Sequence, residues 1–172
     1  MKAIDWSQVP EASEYARLSP GGYICRIDTA TDFPDREYIK IEYDIAEGPQ
    51  AGYYRNLFQN KGFWGGSLYR SYKEKALPMF KTFLKAVEES NPGYVFRNDE
   101  NTLRGKLLGL VLSEEEYRKN DGTTGKRLYI SEVKSVQKIR QGNFQIRQLR
   151  KLAQSPSEGY YPADEAEEDL PF

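Results

Sequence analysis

Tyr38-Ile39-Lys40-Ile41-Glu42-Tyr43-Asp44-Ile45 alternates without a break. In an extended chain Ile39, Ile41, Tyr43 and Ile45 project to one side and Tyr38, Lys40, Glu42 and Asp44 to the other. This pattern predicts a strand with one face on a core and one toward solvent. Upstream, Gly21-Gly22 opens an earlier strand, Tyr23-Ile24-Cys25-Arg26-Ile27-Asp28, which sets Tyr23, Cys25 and Ile27 against Arg26 and Asp28. Phe33-Pro34-Asp35 lies in the connection between the two. Downstream, Glu47-Gly48-Pro49-Gln50 carries turn chemistry. Tyr53-Tyr54-Arg55-Asn56-Leu57-Phe58 then reads as a third strand, because aromatic residues favour extended chain. Its alternation leaves open which of its faces is buried. The three strands form an antiparallel meander.

The remaining segments extend this frame. Lys61-Gly62-Phe63-Trp64-Gly65-Gly66 sets two rings between glycines and predicts a loop that presents them. Residues 67–75 read as a short separate helix. Leu77, Phe80, Leu84 and Val87 share one helical face over 77–89, with Pro78 in the first turn and Asn91-Pro92-Gly93 as the stop. Gly105-Lys106-Leu107-Leu108-Gly109-Leu110-Val111-Leu112 reads as a buried strand whose glycines permit bending. A last strand spans 126–136 after a charged loop with Asn120-Asp121-Gly122. From Phe144 a short basic, helix-like stretch leads to Ser155-Pro156-Ser157, Gly159 and Pro162, a composition of disorder. Three strands, a helix and two strands make the fold class mainly β. The layout is that of an OB-fold, a five-stranded antiparallel barrel with a helix between strands three and four. The expected organisation is an N-terminal arm over 1–20, the barrel over 21–143, and a linker with an acidic tail over 144–172.

Composition narrows the chemistry. The 172 residues hold one cysteine, Cys25, and no histidine. Disulfide scaffolds, Cys/His zinc sites and histidine acid–base catalysis are therefore excluded. Mean hydropathy is −0.77, no apolar stretch approaches the length of a membrane span, and Met1-Lys2-Ala3-Ile4-Asp5-Trp6 lacks the apolar core of a signal peptide. A cytoplasmic protein is the expectation. The net charge of −1 is unevenly divided: 152–172 carry Glu158, Asp164, Glu165, Glu167, Glu168 and Asp169 with no Lys or Arg, which leaves 25 basic against 20 acidic residues in 1–151. A basic body with an acidic tail suits a polyanion as main partner.

Single-strand binding needs cations along the phosphate path and rings on which bases stack. The chain has 13 Tyr, 8 Phe and 2 Trp, many beside Lys or Arg, although most rings in strands pack in cores. The candidate nucleic-acid residues are Lys40, Tyr54, Arg55, Phe58, Lys61, Phe63, Trp64, Tyr69, Arg70, Tyr72 and Lys73, with Phe33 and the loop Tyr117, Arg118 and Lys119 as walls. Enzymatic signals are weak. Glu114-Glu115-Glu116 and Asp32-Phe33-Pro34-Asp35 are carboxylate-rich but lie in charged loops, Gly62 to Gly66 lacks the ending of a phosphate-binding loop, and no catalytic residue, metal or cofactor is expected.

The chain ends Asp164-Glu165-Ala166-Glu167-Glu168-Asp169-Leu170-Pro171-Phe172. A tail that only solubilised would have no use for an apolar tip. This ending resembles the tail of bacterial and phage single-stranded DNA-binding proteins, in which acids lead to Asp-Ile-Pro-Phe; Leu170 stands where that family has Ile. The body carries no motif of the bacterial housekeeping type, and the arm and glycine-flanked rings fit better with phage-encoded members. The resemblance implies a protein that coats single-stranded DNA during replication, recombination and repair, without sequence preference. It implies that Phe172 anchors in a pocket of a replication, recombination or repair protein, with Leu170 and Pro171 beside it and Asp169 and the preceding acids attracting basic residues at the rim. Two alternatives stay open: an interaction protein or recombination mediator whose tail mimics DNA, and a metal-dependent nuclease. Oligomeric state is left open, a homo-oligomer included.

Overall fold

The computed structural model describes residues 1–9 and 17–152. Its frame is a five-stranded antiparallel sheet of β1 (Gly21–Phe33), β2 (Tyr38–Ile45), β3 (Ser67–Ser71), β4 (Leu107–Arg118) and β5 (Thr124–Lys134), in the order β3-β2-β1-β4-β5. Three helices accompany it: α1 (Tyr53–Lys61), α2 (Leu77–Ser90) and α3 (Val136–Arg140). The sheet coils about one core, since Leu68 of β3 and Leu128, Ile130 and Val133 of β5 pack into the same cluster as Ile27, Ile41 and Leu110. With α2 between β3 and β4, this is the strand order of an OB-fold. No ladder joins β3 to β5, so the sheet is open at that seam.

β2 follows its alternation. Ile39, Ile41, Tyr43 and Ile45 are core residues. Two of the four outward positions are nevertheless covered. Tyr38 is 2% exposed because rings lie on both sides of it, and Asp44 is buried beneath α1. β1 is longer than expected and runs to Phe33, with a bulge between Ile27 and Thr29. α2 keeps its predicted span, proline and Asn91 stop. Its buried face is Phe80, Phe83 and Val87, while Leu77 is exposed.

Two expectations for the middle of the chain are corrected. Tyr53 to Phe58 is the helix α1 and not the third strand. Gly52 and Gly62, both left-handed, bracket it, and Asp44 supplies its N-terminal cap from β2: Oδ1 accepts from the Tyr54 amide at 2.9 Å and Oδ2 from the Arg55 amide at 3.2 Å. A capping carboxylate satisfies donors that a helix start leaves open, and this distant group overrides the strand preference of the tyrosines. The third strand is instead Ser67–Ser71, expected to be helical. Leu68 and Arg70 point inward and Ser67, Tyr69 and Ser71 outward, as their pairings with Ile41, Ile39, Glu42, Lys40 and Tyr38 require. Gly66 permits the entry into this strand, since a side chain there would strike the Tyr43 carbonyl.

Residues 144–152, read as the start of a linker, are bound to the sheet. Phe144 packs in a second cluster with Ile24, Val111, Val136 and Ile139 on the other side of the sheet. β1 begins opposite Leu112, so the outer end of β4 has no strand on that side. Arg150 takes the place: its amide donates to the Glu114 carbonyl at 3.0 Å and its carbonyl accepts from the Glu116 amide at 2.9 Å. The expected helix-like stretch after Phe144 is therefore an irregular strap, and the short helix, α3, precedes it. Among the described residues no helix is long and apolar enough to cross a membrane.

Candidate nucleic-acid interface

Strand pairing sets the outward side chains of β1, β2 and β3 into rows. Phe33 lies opposite Tyr38, which lies opposite Ser71; Thr31 lies opposite Lys40, which lies opposite Tyr69. The Phe33 and Tyr38 rings stack with centroids 4.9 Å apart and planes 17° apart, and Tyr69 meets Tyr38 edge-on at 5.9 Å. None of the three belongs to either hydrophobic cluster. Phe33 is 38% exposed. The result is a supported aromatic platform, with Tyr38 holding the two outer rings and Lys40 beside Tyr69. Lys40 bonds Glu42 at 3.0 Å, and that contact holds its ammonium above the ordinary lysine range. Partial burial pushes the Tyr69 hydroxyl up as well.

A second group of rings stands on α1 and the loop after it. Phe58 and Phe63 are about half exposed and lie with Arg55 and Lys61 on the surface. Trp64 is half-buried: it tilts against Phe58 at 6.1 Å and its Nε1 donates to the carbonyls of Tyr43 and Gly66 at 3.2 and 3.0 Å. The indole is thus anchored from below and supports Phe58.

The β4–β5 hairpin forms the third group. Arg118 and Lys119 are exposed at its tip, where Asp121 accepts from the Thr123 amide and closes the turn. Tyr117 lies under the Arg127 guanidinium at 5.2 Å. Lower on the hairpin, Glu115 is 8% exposed and receives both Arg127, at 2.9 Å, and Arg150. Arg150 also lies over Tyr129 at 4.5 Å, so the strap is tied to β5.

The fold brings together Phe33, Lys40 and Tyr69 and places Arg55, Phe58, Lys61, Phe63 and Trp64 on a separate knob, not along a strand as the sequence implied. Tyr54 is a correction. Its ring is buried edge-on against Tyr43 at 5.5 Å, and burial pushes its hydroxyl up to about 12, so it offers no stacking surface. Tyr72 faces Phe80 edge-on and donates to Asp32 at 2.9 Å. Arg70 is buried with its guanidinium over Phe83, while Lys73 lies half-buried at the exit of β3. Tyr38, which supports the two outer rings, was not among the predicted residues, although its outward position in the alternation was visible. Arg147 and Arg150 were not among the predicted residues because their placement depends on the strap, and Tyr129 stands beside them on β5, opposite Ser113. The tail residues Asp169, Leu170, Pro171 and Phe172 lie outside the described residues. Among those described, no cluster of three or more metal-ligating side chains occurs. No protein-family model matches the chain, and neither does any curated protein.

Proposed function

We propose that this chain binds single-stranded DNA, without sequence preference and without catalysis, during phage DNA replication, recombination and repair in the host cytoplasm. The observation that carries the reading is the row Phe33–Tyr38–Tyr69 with Lys40 beside it, on the outer face of β1, β2 and β3. Tyr38 is buried as the support of the row, whereas Phe33 and Tyr69 keep part of their ring surface open to solvent, and an unpaired base gains about 1–3 kcal/mol from each ring it stacks on. The exposed rings Phe58 and Phe63 of the knob and the exposed hairpin cations Arg118 and Lys119 supply further stacking and phosphate contacts. The tail forms a second, separable module, in which Leu170-Pro171-Phe172 docks on a partner protein of the replication, recombination or repair machinery.

The test is fluorescence anisotropy of labelled oligo-dT with the intact chain over a series of salt concentrations. Binding should fall linearly on a log–log plot with a slope of about −0.7 per phosphate contacted, and a duplex of the same length should bind more weakly. Absence of binding at low salt would refute the reading. Deleting Phe172 should leave oligo-dT affinity unchanged.

A further inference from the structure

The seam between β3 and β5 is a groove of about 950 Å³. Its walls are strands that carry no ladder between them, and the first half of α2 contributes Met79 and Phe83. Charge is unequal in it. Arg70, Arg127, Lys134, Arg147 and Arg150 line the groove against two acids, Glu115 and Glu132. Glu115 is engaged by Arg127 and Arg150 and Glu132 by Lys134 at 3.7 Å, so both acids are paired and the cations remain in excess over them. Rings are present too: Tyr129 lines one wall, under the Arg150 guanidinium, and Tyr69 the other. Tyr69 is also the last ring of the outer row, in contact with Tyr38 at 5.9 Å. The groove and the aromatic platform therefore meet at one side chain.

We infer that the β3–β5 groove is a second nucleic-acid section, which takes the phosphates of a strand that has passed over Phe33 and Tyr69. This rests on the single-strand reading above. The strap is the device that builds it, because Arg147 and Arg150 reach the groove only through the bonds of residues 147–152 to β4. The Arg147 amide donates to Ser113 Oγ at 3.0 Å and the Leu152 amide to a Glu116 carboxylate oxygen at 3.1 Å. A base leaving Tyr69 meets Tyr129 across the groove, and the backbone runs between Lys134 and Arg147. Charge complementarity selects a polyanion as occupant.

The experiment compares the intact protein with the double variant Lys134→Ala/Arg147→Ala on two labelled oligo-dT probes. One has about 5 nucleotides and one about 16, the two ends of the range a single OB-fold occupies. The double variant should lower the magnitude of the salt slope on the long probe by about 1.4, two single-strand contacts at about 0.7 each, and leave the short probe unchanged. Equal slopes for the two proteins on the long probe would overturn the inference, as would an equal loss on both probes, which marks a diffuse charge effect. A groove that takes an acidic peptide instead of DNA gives the first of these results. Failure of the wild-type protein to bind either probe defeats the single-strand reading itself. Arg147 is exposed and Lys134 half-buried, and an unchanged thermal midpoint in the variant establishes that the fold is intact.

Discussion

Asp28 shows how single residues report on this face. It occupies the β1 bulge, where burial pushes its carboxyl above the ordinary range against the partial relief given by Arg55 and Arg26, with Asp44 and Glu42 adding to the rise. A carboxyl raised by burial is stabilising to the fold only while protonated. Its favourable balance is full below the unfolded value near 3.8 and is lost as pH rises through the higher folded value. Asp28→Asn should therefore raise the melting temperature at pH 7 and leave it nearly unchanged at pH 3. A variant less stable than wild type at pH 7 would show that the carboxylate is held by favourable contacts instead. Gly109 is a second case at this scale. The sequence assigns it to strand bending, whereas the structure gives it a packing reason: a side chain there would strike Ile139 of α3 and the Lys134 carbonyl. Periodicity cannot supply that reason, because α3 meets β4 only after the chain has folded.

Among elements, strands with uniform alternation were legible and those with one discordant residue were not. The bounds and the core face of β2 could be read because four apolar side chains recur at every second position. β3 was hidden by Arg70, which occupies an inward position a core strand normally gives to an apolar residue. There its guanidinium lies 5.8 Å from the Phe83 ring centroid and Nη1 donates to the Tyr69 carbonyl at 2.8 Å. α1 was hidden by the opposite effect: its aromatic composition favours a strand, and the group that makes it a helix, Asp44, lies eleven residues before Arg55 in another element. Asp44→Ala should thus cost about 1–2 kcal/mol, the upper range for a helix cap, and loosen the knob that carries Phe58 and Phe63. Chemical denaturation measures this as a lower midpoint, and an unchanged midpoint would show that packing of Tyr54 alone holds the helix. The strap was illegible for a similar reason, since residues 147–152 have no periodicity of their own and are ordered by the free edge of β4.

For the molecule as a whole, the division of charge between 1–151 and 152–172 was visible at once, and the fold gives the basic part an address. Lys40 stands on the platform, Arg55 and Lys61 on the knob, Arg118 and Lys119 at the hairpin tip, and Lys134 and Arg147 at the seam. The strand count and the position of α2 were legible, so the OB-fold followed even though one of its strands was misplaced. The path of a ligand was not, because it depends on which rings are left on the outside of the sheet. The central claim is that the outer row of rings holds unpaired bases. Its most direct measurement is the affinity of Phe33→Ala/Tyr69→Ala for oligo-dT, against wild type at one salt concentration. At about 1–3 kcal/mol per ring, the double variant should bind at least about tenfold more weakly while keeping its fold. A folded double variant with wild-type affinity would contradict the account.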